Sequence, residues 1–110
     1  MDSWQKQEVQ NEADFRDLNE WTEAANDEAA GHHATDAYIC ECGDASCSDP
    51  INLTRPEYEL VRAEATHFAI ATNHENPELD RVLAEHSRYT VVEKWLGEAA
   101  RIAYTTNPRR

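Results

Sequence analysis

Cysteine is missing from almost all of this chain, yet three copies stand together in the segment Cys40–Cys47, CECGDASC. Glycine and proline are scarce, with three and four copies in 110 residues, and neither a P-loop nor a G-x-S-x-G motif occurs. No apolar run reaches the roughly 18 residues of a membrane span, and no cationic, apolar segment marks a signal peptide. We therefore expect a cytoplasmic protein with no membrane association, whose thiols stay reduced.

Positive charge is also scarce. The chain has 10 Lys and Arg residues against 22 Asp and Glu residues, and its formal net charge is −12 at pH 7. Residues 1–36 hold ten of the acids and two of the bases, so the N-terminal third is the most acidic part. This field opposes direct binding to nucleic acid or anionic membranes, and it suits solubility or a basic partner surface.

The acidic N-terminal third has the periodicity of a helix. Residues 9–30 contain neither Gly nor Pro, and fewer than three heptads is short for a coiled coil. We therefore predict a helix that docks on the rest of the domain, with a seam for a second chain as the alternative. The predicted stripe has spacings of three and four: Phe15, Leu18, Thr22, Ala25 and Ala29.

Two capping patterns predict further helices. Thr54 with Glu57 forms a capping box before a helix that runs to about Ala65. Asn76-Pro77 has the residues of a second helix start. Helical spacing then links Leu79, Val82, Leu83 and His86. A last helical face comprises Leu96, Ala99, Ala100 and Ala103.

Two segments favour strands. Phe68–Ala71 alternates large and small side chains, and Tyr89–Glu93 is aromatic and β-branched. Periodicity leaves the direction of their pairing open. Together, these patterns predict an α+β fold that is mostly helical, with a small two- or three-stranded sheet.

The cysteine segment offers three soft donors, Cys40, Cys42 and Cys47, from one loop that Gly43 leaves free to fold back. Structural zinc sites usually take four thiolate or imidazole ligands in a tetrahedron. An odd number of thiols weighs against disulfides, and the chain has no C-x-x-C redox pair. Zn²⁺ is therefore favoured over buried inert thiols, and over redox chemistry or another metal.

The fourth ligand has to come from elsewhere in the chain, and the histidines are its candidates. His32 and His33 stand in a polar linker, and His67 stands at a helix-to-strand junction. His86 has an apolar helical position that fits a core or boundary residue. His74 lies in the loop ATNHENPEL, and loops of this kind present side chains on a rigid frame. Spacing alone gives His74 only a slight preference.

Catalytic zinc motifs fit less well. A zinc deaminase needs H-x-E with P-C-x-x-C, and the H-E-x-x-H pattern of metalloproteases is broken by Pro77 and ends in Glu78. Three thiolates and one imidazole fill the coordination sphere and leave no position for substrate water. We therefore expect a structural metal and no enzyme.

The chain resembles, along nearly its whole length, a family of small, uncharacterised actinobacterial and phage-borne proteins. The resemblance implies a C-x-C-x4-C plus His zinc centre with His74 as fourth ligand, and it implies no activity. In that family a Gly usually precedes the His-Glu pair, whereas this chain has Asn73, which tolerates the left-handed conformation. The matching pieces are NEADFRDLNE (11–20), CECGDASC (40–47), INLTRPEYELVR (51–62), HENPEL (74–79), VVEK (91–94) and GEAARIAYTTNPR (97–109).

These expectations divide the chain into an acidic N-terminal helical arm, residues 1–35, and a zinc-stabilised α+β domain with a zinc knuckle, residues 36–110. The first functional hypothesis is a protein-interaction or regulatory module with an unknown protein partner. Trp4 and Trp21 are its candidate partner-binding residues, because exposed Trp is a frequent interface anchor.

Two other functions stay open. A zinc-finger-like transcription or phage–host regulator would contact DNA through its arginines or mimic DNA through the acidic arm. A zinc hydrolase is less favoured, since it needs water in place of one ligand, with Glu75 as the candidate base.

Overall fold

A computed structural model of the protein describes residues 1–26, 35–95 and 97–109. Within these ranges the chain forms three helices and five strands. Their order is α1 (Ser3–Asn26), β1 (Thr35–Ile39), β2 (Pro50–Thr54), α2 (Arg55–Arg62), β3 (His67–Ile70), β4 (Asp80–Glu85), β5 (Thr90–Lys94) and α3 (Gly97–Thr105). The predicted positions at Ala29, His32, His33 and Leu96 lie outside the described residues.

The strands form two small antiparallel sheets. Strands β1 and β2 pair as a two-stranded sheet, and the second sheet has the order β3-β5-β4. The amide of Glu41, just after β1, donates to the carbonyl of Ala69 in β3 at 2.9 Å and joins the two sheets. The main core lies between the sheets and α2 and includes Tyr38, Leu53, Tyr58, Phe68 and Val92.

The α+β class is confirmed, but "mostly helical" overstates the helix content, since the described residues include five strands. The predicted segments Phe68–Ala71 and Tyr89–Glu93 correspond to β3 and β5 and pair antiparallel. The predicted capping box is present: the Thr54 amide donates to Glu57 Oε1 at 2.7 Å, and the Glu57 amide donates to Thr54 Oγ1 at 3.3 Å.

The helix predicted from Asn76 is wrong, because the chain forms strand β4 there. The side chain of Asn76 accepts from the Glu78 amide at 3.0 Å and closes a turn in place of a helix. Strand β4 then pairs with β5, with a register irregularity between Val82 and Ala84. Such an irregularity disturbs the alternation of inward and outward side chains along a strand. The spacing of the apolar residues in this segment therefore resembles that of a helix. His86 is exposed and stacks on Tyr89, so its predicted core or boundary position is also wrong.

Helix α1 packs against β1 and α3, as a docked helix does, but through a face other than the predicted stripe. Leu18 is 55% exposed, and Ala25 is also exposed. The buried residues of α1 are mostly polar: Val9, Glu12, Ala13, Arg16, Asn19 and Glu23. No described helix has the length and apolarity that crossing a membrane demands.

Candidate metal centre

Four side chains named from the sequence meet at one place. One ligand atom from each of Cys40, Cys42, Cys47 and His74 can be chosen so that all four lie within 4.8 Å of one another. His74 Nδ1 lies 3.5 Å from Cys40 Sγ and 3.6 Å from Cys47 Sγ. A tetrahedron with Zn–S of about 2.3 Å and Zn–N of about 2.05 Å separates sulfur from nitrogen by about 3.6 Å. The four residues are therefore close enough to bind a metal ion.

The first ligand loop, residues 40–47, is held by its own backbone. The Cys40 amide donates to the Asp49 carbonyl, and the Cys47 amide donates to the Asp44 carbonyl, both at 2.9 Å. Asp44 Oδ1 also accepts from the amide and the hydroxyl of Ser46. These bonds fold the loop back, so that Cys47 faces the thiols at the end of β1.

The loop also rests against helix α1 at Gly43, where φ is +83°. A Cβ atom at Gly43 would lie 2.6 Å from the Glu8 carbonyl oxygen and 2.7 Å from Glu12 Cγ. In addition, the side-chain amide of Asn11 donates to the Gly43 carbonyl at 2.9 Å. Glycine is required here by the conformation and by the close approach.

The second ligand loop, between β3 and β4, presents His74. Asn73 has φ of +68°, which confirms that asparagine takes the left-handed conformation at this point. The His74 amide donates to the Ala71 carbonyl at 3.1 Å. Beyond it, Asn76 Nδ2 donates to Glu8 Oε2 at 2.7 Å, so this loop is tied to α1 as well.

Asp49 is a site residue that the sequence argument missed. Its Oδ2 lies 3.5 Å from His74 Nε2, on the side of the ring opposite the thiols. Metal-bound histidines commonly donate their second ring N–H to a carboxylate, which fixes the tautomer and the ring orientation. The one available sequence signal was an acid two residues after Cys47, and sequence alone does not distinguish it from a turn residue.

Hydrogen bonds within the cluster set the acidity of the thiols. The bond from the Cys40 thiol, with help from the Asp44 backbone, lowers the pKa of Cys42 to about 5. The same bond and burial raise the pKa of Cys40, and burial raises the pKa of Cys47. The Ala71 amide also donates to Cys40 Sγ at 3.1 Å, which partly offsets the rise in the pKa of Cys40. Because metal ligands must be deprotonated, binding a metal at all three sulfurs releases protons.

The other sequence candidates lie away from this cluster. His67 Nε2 is 3.4 Å from Glu93 Oε2, and the exposed His86 stacks on Tyr89. Trp4 and Trp21 are 50% and 71% exposed. The part of the chain that the structure describes offers one group of ligand residues for a metal ion, and His74 is its histidine.

An open groove of about 430 Å³ adjoins Cys42 and His74. Its walls include Glu8, Asp44 and Glu75. One carboxylate oxygen of Glu75 is shielded from solvent and has no hydrogen-bond partner among the described residues. The groove gives a small molecule access to one side of the cluster.

No protein-family model matches the chain, and no significant match was found among curated proteins or solved structures. The four ligand residues and the groups around them therefore carry the functional conclusion.

Proposed function

We propose that this chain is a small zinc-binding protein in which a closed Cys3His site holds the fold together, and that it acts through protein contacts and not as an enzyme. The observation that carries the proposal is the convergence of three thiols and one imidazole within 4.8 Å. The exposure of Trp4 and Trp21 supports the interaction role.

Zinc fits this donor set better than the hard cations do. Calcium and magnesium prefer oxygen ligands, whereas Cys40, Cys42 and Cys47 offer sulfur. The sulfur-to-nitrogen distances of 3.5 and 3.6 Å agree with tetrahedral zinc. Asp49 behind His74 supplies the outer carboxylate that such histidines commonly have.

A structural role follows from the number and origin of the ligands. Four protein ligands complete the tetrahedron. They also tie the loop after β1 to the loop after β3, which are distant in sequence. Structural zinc contributes about 10–16 kcal/mol in small peptides at neutral pH. Since small domains have a net stability of about 5–15 kcal/mol, removing zinc should unfold much of this one.

We propose that these contacts are regulatory. We also keep the likeness to small actinobacterial and phage-borne proteins as a proposal, and it implies no activity. In the alternative form, the protein regulates transcription by contacting or mimicking DNA. The excess of 22 acids over 10 bases supports mimicry over contact. An electrophoretic shift assay at low salt separates the two, because contact requires a shifted duplex and mimicry does not.

The first experiment measures zinc per chain on reduced, metal-replete protein by elemental analysis and native mass spectrometry. We expect one zinc per chain, and we expect its removal by a chelator to lower the melting temperature and to broaden the melting transition. The variant Cys47→Ser should lose the zinc, and Ser46→Ala, at the neighbouring position, should keep it. Metal-free wild-type protein with an unchanged melting curve would contradict the proposal.

A zinc hydrolase is the second candidate, favoured by the groove beside Cys42 and by the Glu75 oxygen that has no hydrogen-bond partner among the described residues. It requires water in place of one protein ligand, with Glu75 as the base. Absorption spectroscopy of cobalt-substituted protein separates the two sites. A four-coordinate S3N spectrum that added anions leave unchanged supports the closed site, and a spectrum that shifts with anions supports the open one.

A further inference from the structure

The outward face of helix α1 carries an apolar pair that no other described part of the chain covers. Trp21 is 71% exposed and Leu18 is 55% exposed. Side chains three residues apart are neighbours on a helix surface. At 3.6 residues per turn, this pair, hereafter the Leu18–Trp21 patch, lies opposite the buried residues Glu12, Arg16 and Glu23.

The exposed charged side chains of α1 beside the Leu18–Trp21 patch are acidic. Asp14 and Asp17 are exposed and lie one turn before Leu18 and Trp21. After Lys6 the helix has a single base, Arg16, which is fully buried and donates to backbone carbonyls at 2.7 and 2.9 Å. The patch is therefore apolar at its centre and acidic on its flank.

We propose that the Leu18–Trp21 patch docks a basic, amphipathic segment of a partner protein. Apolar side chains of that segment cover Trp21 and Leu18, and its Lys or Arg side chains pair with Asp14 and Asp17. Complementary charges steer such an encounter, and the buried Trp holds it. This inference rests on the proposed interaction role and names the class of partner.

A second copy of the chain is a poor occupant of the patch. It would bring another formal charge of −12, and with it a second acidic flank of Asp14 and Asp17, to the interface. A stable interface also buries about 800 Å² on each partner, whereas a large aromatic side chain buries about 150–250 Å². Two side chains with an acidic flank fit a single peptide segment.

The test is a ¹⁵N NMR titration of the full chain, with its zinc content measured in the same sample. The probe is a synthetic Lys/Leu amphipathic peptide of about 18 residues, or five helical turns, and a Glu/Leu peptide of the same pattern is its control. We expect the Lys/Leu peptide alone to shift the amides of residues 14–25 and the Trp21 indole signal.

Matched variants distinguish binding at the Leu18–Trp21 patch from nonspecific attraction to the acidic surface of the protein. Trp21→Ala should weaken binding about tenfold or more without lowering the melting temperature, and Leu60→Ala, at an exposed leucine of α2, should not. The double variant Asp14→Asn/Asp17→Asn should weaken binding and reduce its salt dependence. Glu64→Gln/Glu85→Gln, at exposed acids elsewhere, should do neither.

Three results would overturn the proposal: shifts spread over every acidic surface with Trp21→Ala unchanged, equal binding of the Glu/Leu peptide, or a peptide-free dimer that Trp21→Ala dissolves. If the peptide does not bind at the patch and the sample holds one zinc per chain, the docking proposal is wrong and the proposed zinc role is unaffected. Binding at the patch in a zinc-free protein leaves this inference standing and removes the zinc role.

Discussion

A single glycine sets how closely the metal-ligand loop approaches helix α1. Gly43 combines a φ of +83° with contacts that leave no room for a side chain. Gly97, at the start of α3, is different, because a Cβ there would meet nothing within 4 Å. The two glycines therefore form a matched pair for substitution.

We predict that Gly43→Ala lowers the free energy of unfolding by about 2 kcal/mol or more, since it adds backbone strain and a clash with the Glu8 carbonyl. Gly97→Ala should leave stability unchanged or raise it by up to about 1 kcal/mol. Urea denaturation of both variants, with zinc present, measures the difference. Equal effects of the two substitutions would contradict this account of Gly43.

Asp49→Asn should weaken zinc binding about 10- to 100-fold while all four ligands stay in place, because Asp49 orients the His74 ring. Competition with a chromophoric chelator measures the affinity. Glu85→Gln removes an exposed carboxylate away from the site and is the control. An unchanged affinity in Asp49→Asn would show that the 3.5 Å contact does not orient the histidine.

Helix α1 packs against the rest of the described chain largely through polar side chains. Asn19 donates to the Ile39 carbonyl and to Glu41, and accepts from the Ile39 amide. The buried Lys94 contacts both Glu12 and Asp80. A buried charge is tolerated when it is paired in this way.

Glu23, on the same buried face of α1, should make stability depend on pH. Burial, followed by the neighbouring Glu59, raises the pKa of Glu23 from 4.5 to about 7. Between those values the folded protein keeps a proton that the unfolded chain has released. The contribution of this group to stability therefore falls as pH rises from about 4.5 to about 7.

Glu23→Gln removes this titration, so it should raise the melting temperature at pH 8 and change it little at pH 5. Thermal unfolding at the two pH values measures the effect, and Glu64→Gln, at an exposed position, is the control. A variant less stable than wild type at pH 8 would show that the charged carboxylate stabilises the fold.

At the scale of the whole molecule, both ligand loops lie on α1. Gly43 contacts Glu8 and Glu12, Asn11 donates to Gly43, and Asn76 donates to Glu8. A metal that orders both loops therefore also orders the surface on which the helix rests. Zinc and the docking of α1 should be coupled.

We predict that chelation increases amide hydrogen exchange in α1 before it increases exchange in the sheet of β3, β4 and β5. The helix depends on the two loops, whereas the sheet has its own ladder and the core behind it. Exchange measured by mass spectrometry at rising chelator concentration provides the test. Simultaneous loss of protection in α1 and the sheet would mean that the protein opens as one unit.

Local chemistry explains which features could be predicted from the sequence. The Thr54–Glu57 capping box and the spacing of the thiols depend on neighbouring residues, whereas the left-handed Asn73 was an expectation from the resemblance. The pairing of β4 with β5 and the contact of Asp49 with His74 depend on residues distant in sequence or on ring orientation. The inward face of α1 was missed because its partners, such as Lys94, lie far along the chain.

The polar buried face of α1 affects how readily the protein aggregates when the helix detaches. When a helix with an apolar face detaches, it exposes apolar surfaces that promote aggregation. Here the separated faces would expose mainly polar groups that water solvates readily, among them Glu12, Arg16, Asn19 and Lys94, and only a small apolar cluster of Val9, Leu79 and Ala99. If a bound metal is removed, we therefore expect α1 to detach with less aggregation than a helix with an apolar face would show, and to dock again when the metal is restored.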